Sequence, residues 1–203
     1  MEKFRSVSSK VMPLPMKDVD TDMIIPAQFL TSISREGYGT NLFRRWRDSD
    51  ANFPLNLEKY KGAEVLVADA NFGCGSSREH AVWALADAGI KVVVCKSFAD
   101  IFYNNSAKNG LLLVTLEQAA VDEMLKRAKE EVYSVTVDLE TQTVITPWGA
   151  KYSFPYDPFR KHCLLNGLDD IDYINSFQSD IESFRTEQKK HQRFSLIGGL
   201  EVK

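Results

Sequence analysis

Apolar residues along this chain gather in short runs separated by stretches with helical spacing, and the alternation of the two predicts an α/β fold. Runs over 4–14, 65–69, 90–95 and 111–114 are short and rich in β-branched residues, so they read as strands. Between them, Ala81, Val82, Ala84, Leu85 and Ala88 follow the spacing of one helix face that stops at Gly89, and further helices are predicted over 100–108 and 117–129. Strand followed by helix, repeated, favours parallel strands with covering helices. The pattern changes after 130. Alternation over 134–138 and 143–146 across a short connection predicts a hairpin, with 151–154 as another strand, so the sheet is expected to be mixed. Helices are predicted over 158–166 and 170–184, and 185–203 is expected to be a flexible tail. A polar and aromatic segment, 31–60, breaks the pattern early and reads as an insertion or lid loop within a single domain over 1–184.

Composition narrows the function classes. The 203 residues, 44% hydrophobic, suffice for one substantial core. A net charge of −3 argues against nucleic-acid binding, and the cluster Arg44-Arg45-Trp46-Arg47 is too short to change that. No apolar run approaches the ~20 residues that span a bilayer, and Met1-Glu2-Lys3-Phe4-Arg5 does not open a signal peptide. A cytoplasmic protein with no membrane partner is expected. Cys74, Cys95 and Cys163 are odd in number and widely spaced, which supports neither a disulfide framework nor a metal site. His80, His162 and His191 show no metal spacing either, so no metal ligand is assigned. Asp18-x-Asp20-x-Asp22 fails as a calcium loop, because Met23 and Phe29 stand where an EF-hand needs glycine and glutamate.

The densest chemistry lies in Asn71-Phe72-Gly73-Cys74-Gly75-Ser76-Ser77-Arg78-Glu79-His80, between a predicted strand and a predicted helix. Two glycines let the backbone approach a ligand closely, and a helix N-terminus offers unpaired N–H groups to an anion. A structural alternative stands beside this one: Ser76-x-x-Glu79 is also a capping box. Capping needs neither Ser77 nor Arg78, and an arginine in a first helical turn opposes the helix dipole unless an anion compensates it. The loop is neither a serine-hydrolase elbow nor a Walker A loop.

Four separated motifs now carry a family resemblance: Asp18-Val19-Asp20-Thr21-Asp22-Met23-Ile24-Ile25-Pro26, the glycine loop, Ser97-Phe98-Ala99-Asp100-Ile101-Phe102-Tyr103-Asn104-Asn105-Ser106, and Leu164-Leu165-Asn166-Gly167-Leu168-Asp169-Asp170-Ile171. In this order they resemble the small subunit of bacterial 3-isopropylmalate dehydratase, in the aconitase superfamily, from the start of the chain to about Phe184. The resemblance implies an aconitase-type swivelling β/β/α domain that closes over a [4Fe-4S] cluster carried by a large-subunit partner in a heterodimer or higher hetero-oligomer. The residues agree on one point, since the three cysteines do not supply the closely placed thiolates of a cluster.

The resemblance also implies chemistry: water leaves a hydroxy-dicarboxylate and returns to the adjacent carbon, interconverting 2-isopropylmalate and 3-isopropylmalate in leucine biosynthesis. Ser76 is implied as the proton-abstracting base, with Asp22 as its companion acid; Ser77 and Arg78 are implied to hold a substrate carboxylate. Arg35 matches a further substrate-binding arginine with a one-residue offset, and Arg44, Arg45 and Arg47 compete for that role or form a solvated face. Asp22 is equally readable as a turn cap. A sister dehydratase of methylmalate/citraconate or homoaconitate type would share the base and the arginine, and a non-catalytic carboxylate-binding module would share the loop alone.

Overall fold

The computed structural model describes residues 1–30 and 36–191. The chain forms two compact units, Met1–Leu168 and Asp169–Lys203. In the first, strands β1 (Ser6–Leu14), β2 (Val65–Ala68), β3 (Val92–Cys95), β4 (Leu112–Thr115), β5 (Ser134–Asp138), β6 (Thr143–Ile145) and β7 (Lys151–Ser153) form one sheet in the order β4-β3-β2-β1-β5-β6-β7. β1 pairs in parallel with β2 and antiparallel with β5, so the sheet changes character at its central strand. The mixed α/β sheet expected from the hydrophobic pattern is present.

Both faces of the parallel half are covered, which explains why its strands are unbroken apolar runs. In β2, Leu66 and Ala68 face a core shared with helix α3 (Glu79–Asp87), whereas Val65 and Val67 face a second core shared with α5 (Gln118–Glu130). Helix α4 (Asp100–Lys108) joins the first core through Phe102. On α5, Val121, Met124, Leu125 and Ala128 are buried on one face at helical spacing; each larger aliphatic contributes roughly 1.5–3 kcal/mol on burial. α6 (Pro158–Asn166) begins where the Asp157 side chain accepts from the Arg160 N–H at 2.8 Å and ends at Gly167, whose φ of +71° suits glycine.

The structure departs from the sequence reading in three places. First, the described part of the insertion is not loose: Tyr38, Leu42, Phe43, Phe53 and Tyr60 are buried in the first core, and Arg44–Ser49 forms the short helix α2. Second, α3 begins at Glu79, with Arg78 as an N-cap that makes no side-chain capping bond, so Ser76 lies outside the helix and the capping box is not formed. Third, in the second unit the single helix expected over 170–184 is two, α7 (Asp170–Asn175) and α8 (Gln178–His191). Asn175 and Ser176 are weak helix formers, and the Ser176 hydroxyl donates back to the Tyr173 carbonyl at 2.6 Å. α8 also continues past 184, to His191.

Candidate active site

The loops leaving the C-terminal ends of parallel strands β1 and β2 lie side by side, where open α/β sheets present ligand-binding groups. Backbone bonds zip them together. The Gly73 N–H donates to the Val19 carbonyl at 2.7 Å and the Thr21 N–H to the Cys74 carbonyl at 3.0 Å. Asp18 and Asn71 both adopt left-handed φ, near +53° and +57°, and the Asn71 amide donates to the Asp18 carboxylate at 2.7 Å. The segment after β3 joins through Phe72, whose N–H donates to the Ser97 carbonyl at 3.1 Å.

Two glycines are required here for different reasons. Gly73 has φ +78°, and a Cβ there would fall 2.1 Å from Phe102 Cγ, so the loop backbone rests directly on the Phe102 ring. Gly75 has φ +87°, with Asp20 close by. Between them these turns carry Ser76 and Ser77 into solvent at a cavity of about 220 Å³, lined also by Thr21, Arg78, Ala99 and Asp100. Among the described residues none accepts a hydrogen bond from the backbone N–H of Ser76, Ser77 or Arg78. Unpaired donors just ahead of a helix, beside a guanidinium, suit an anion.

Asp22 organises the cations. Its Oδ1 accepts from Arg78 at 2.7 Å and its Oδ2 from Arg45 at 2.8 Å, and it also accepts from the Ala27 N–H at 3.1 Å. The Arg78 hydrogen bond holds the Asp22 carboxyl below its usual range, with Ala27 and Arg45 adding to the effect against partial burial. Asp22 therefore stays ionised, and Arg78 is steered while its remaining N–H donors are left for another acceptor.

Ser76, Ser77, Arg78 and Asp22 thus converge, with Asp22 contacting the arginines, while Arg35 lies outside the described residues. Among the competing arginines, Arg44 pairs with Asp48 at 2.8 Å, and Arg47 donates to the Thr40 carbonyl at 3.1 Å and to Asn56 at 3.3 Å. Only Arg45 of these three reaches Asp22. Its flank opens on a mainly apolar hollow of about 400 Å³ bordered by Met23 and Trp46. His80 packs edge-on against Trp83 and Tyr38, as a packing residue would.

Sequence reasoning gave no role to Thr21 or the start of α4, and left Arg45 undistinguished from Arg44 and Arg47. For Thr21 no local signal existed, because its partner, the Ser76 carbonyl, lies far away in sequence. A second cavity, of about 310 Å³ at Leu57, Tyr60, Ala88 and Ile90, holds none of these groups.

Comparisons with known proteins show the family of the chain. A family model described as Aconitase C-terminal domain matches residues 1–119, and one described as LeuD_N matches 122–158. A 3-isopropylmalate dehydratase small subunit of Francisella tularensis subsp. novicida is 50% identical over 189 residues, covering 93% of this chain and all of that protein. The chain belongs to the family of 3-isopropylmalate dehydratase small subunits. A further small subunit, from Roseobacter denitrificans, is 53% identical over 91% of this chain and 94% of its own length. The crystal structure of a 3-isopropylmalate dehydratase from Methanocaldococcus jannaschii is similar with a TM-score of 0.65 at 29% identity, covering 89% of this chain and 99% of that one.

An iron–sulfur cluster does not fit this small subunit's own cysteines. The Cys95 thiol is buried and donates to the Asp69 carbonyl at 2.9 Å, Cys163 is buried in α6, and Cys74 alone borders the loop, its thiol raised by burial and then by Asp20. Among the described residues no three His, Cys, Asp or Glu side chains converge as a metal site, and no helix is long and apolar enough to cross a membrane.

Proposed function

We propose that this chain supplies the base and the carboxylate grip of a two-chain, cytoplasmic hydro-lyase that interconverts 2-isopropylmalate and 3-isopropylmalate through 2-isopropylmaleate. The observation that carries this reading is the conjunction at one cavity of two exposed serines, unpaired N–H groups and an arginine steered by an ionised aspartate.

A serine is a weak base because its alkoxide is costly in water. At Ser76 the neighbouring N–H donors and the Arg78 guanidinium lower that cost, as an oxyanion hole does. Ser76 then takes the proton from the carbon beside a substrate carboxylate and returns it in the reverse addition. Ser77 and Arg78 hold that carboxylate, Arg78 through paired donors whose plane matches it, and Asp22 keeps Arg78 turned toward the loop. A [4Fe-4S] cluster on the large subunit would supply, when bound, Lewis-acid chemistry toward the substrate hydroxyl. None of these steps requires a metal ligand from this chain.

Reconstitution with the large subunit under anaerobic conditions tests the reading. The complex should turn over 2-isopropylmalate, followed by ultraviolet absorbance of the unsaturated intermediate, and a panel of methylated malates and homocitrate should turn over poorly. Preference for one of those analogues would reassign the substrate.

A further inference from the structure

Residues 75–77 carry the proposed base yet are tied down at a single point. Gly75 and Ser77 make no hydrogen bond to a described residue, and Ser76 makes one: its carbonyl accepts from the Thr21 hydroxyl at 2.9 Å. With left-handed glycines at 73 and 75, the backbone on this side of Arg78 would otherwise rotate readily. Thr21 itself is held firmly. It is 2% exposed, its N–H donates to the Cys74 carbonyl, and it opens the short helix α1 (Thr21–Ile24), whose N-cap Asp20 accepts from the Met23 N–H at 2.6 Å and whose Ile24 is fully buried.

We propose that Thr21 is a positioning residue for the proposed proton transfer: by fixing the Ser76 carbonyl it fixes the Ser76–Ser77 peptide plane. In a trans peptide the N–H points opposite to the C=O, and among the described residues no peptide is cis. Holding the Ser76 oxygen against Thr21 therefore turns the Ser77 N–H away from Thr21, to a side where no described residue accepts it. That N–H is free to stabilise negative charge at Ser76 Oγ or on a bound carboxylate. Thr21 and Asp22 divide the work, since the first orients the loop backbone and the second orients the Arg78 side chain.

This inference rests on the assignment of Ser76 as base, and the test separates the two. In the reconstituted complex, Thr21→Val keeps the side-chain shape and removes the hydroxyl, whereas Thr21→Ser keeps the hydroxyl. Thr143→Val, which removes another buried hydroxyl remote from the loop, serves as the stability control. Activities are compared per mole of folded complex, and Thr21→Ala replaces Thr21→Val if that variant does not fold. Thr21→Val should lower kcat by roughly ten- to a hundredfold, as expected for a misaimed donor, with KM within about twofold. Thr21→Ser should recover most of kcat, and Thr143→Val should leave it unchanged. Full kcat in Thr21→Val, or equal loss in Thr21→Ser, would overturn the inference. If Ser76→Ala is also fully active in this assay, the assignment of the base fails; if Ser76→Ala is inactive while Thr21→Val is not, only the role of Thr21 fails.

Discussion

Three glycine-to-alanine substitutions separate the conformational and steric demands on the glycine loop. Gly89, Gly75 and Gly73 share left-handed backbones, with φ of +88°, +87° and +78°, but differ in what an added methyl group would meet. At Gly89 nothing lies within 4 Å, so Gly89→Ala should cost only the left-handed strain of an L-residue, about 1–2 kcal/mol, partly offset by a stiffer unfolded chain. At Gly75 the methyl would stand 3.3 Å from Asp20 Cβ, adding a few tenths of a kcal/mol at most if the neighbouring turn gives slightly. At Gly73 it would overlap the Phe102 side chain, whose Cγ, Cδ1 and Cβ lie at 2.1, 2.5 and 2.6 Å. Overpacking of that kind adds roughly 1–3 kcal/mol, so Gly73→Ala should lose about 2–5 kcal/mol in all. For a protein of this size that is a fall in Tm of roughly 4–20 °C, against about 2–8 °C for Gly89→Ala. Urea unfolding followed by circular dichroism, with thermal melts, measures all three. Equal losses at Gly73 and Gly89 would refute the contact between loop backbone and Phe102, and a further change of Phe102 to Ala that failed to relieve Gly73→Ala would do the same.

Other expectations follow from the same contacts. Arg78→Lys keeps the charge but loses the paired donors, so kcat/KM in the reconstituted enzyme should fall by about ten- to a hundredfold with a raised KM; an unchanged KM would remove Arg78 from substrate binding. Because Arg78 lowers the Asp22 pKa, the stabilisation from ionised Asp22 should be fully present above its unfolded pKa of about 3.9 and should fade as pH falls through the lower folded value. The stability difference between wild type and Asp22→Asn should thus be flat from pH 5 to 8 and shrink in stronger acid, and a difference growing with acidity would contradict the pairing. Backbone hydrogen exchange at Tyr38, Leu42, Phe43 and Phe53 should already be slow in the isolated chain, since all four are buried; fast exchange there would restore the view of 31–60 as one lid.

What could be read from the sequence was what local spacing encodes. α4 and α6 have the bounds expected from helical periodicity and end signals, and the parallel strands stand out because burial on both faces demands continuous apolar runs. The insertion was illegible because Tyr38, Leu42, Phe43 and Phe53 join one core without a shared helical or strand period. The site followed the same division. Ser76, Ser77 and Arg78 are contiguous and could be singled out, whereas Arg45 with Asp22 and Thr21 with Ser76 are partners far apart in sequence, brought together by loops at the ends of β1 and β2. The capping box looked sound locally and failed because the left-handed turns at Gly73 and Gly75 carry Ser76 outside the helix that Glu79 begins.

The most direct measurement is the turnover and stability of Ser76→Ala in the complex with the large subunit. Ser76 lies exposed outside α3 and makes no capping bond, so the substitution should leave Tm nearly unchanged, within about 0.5 kcal/mol of stability. Removal of the proposed base should lower kcat by at least the ~10²–10⁴ typical of general-base catalysis, with little change in KM. A Ser76→Ala complex that keeps nearly full activity would contradict the account, whatever its stability.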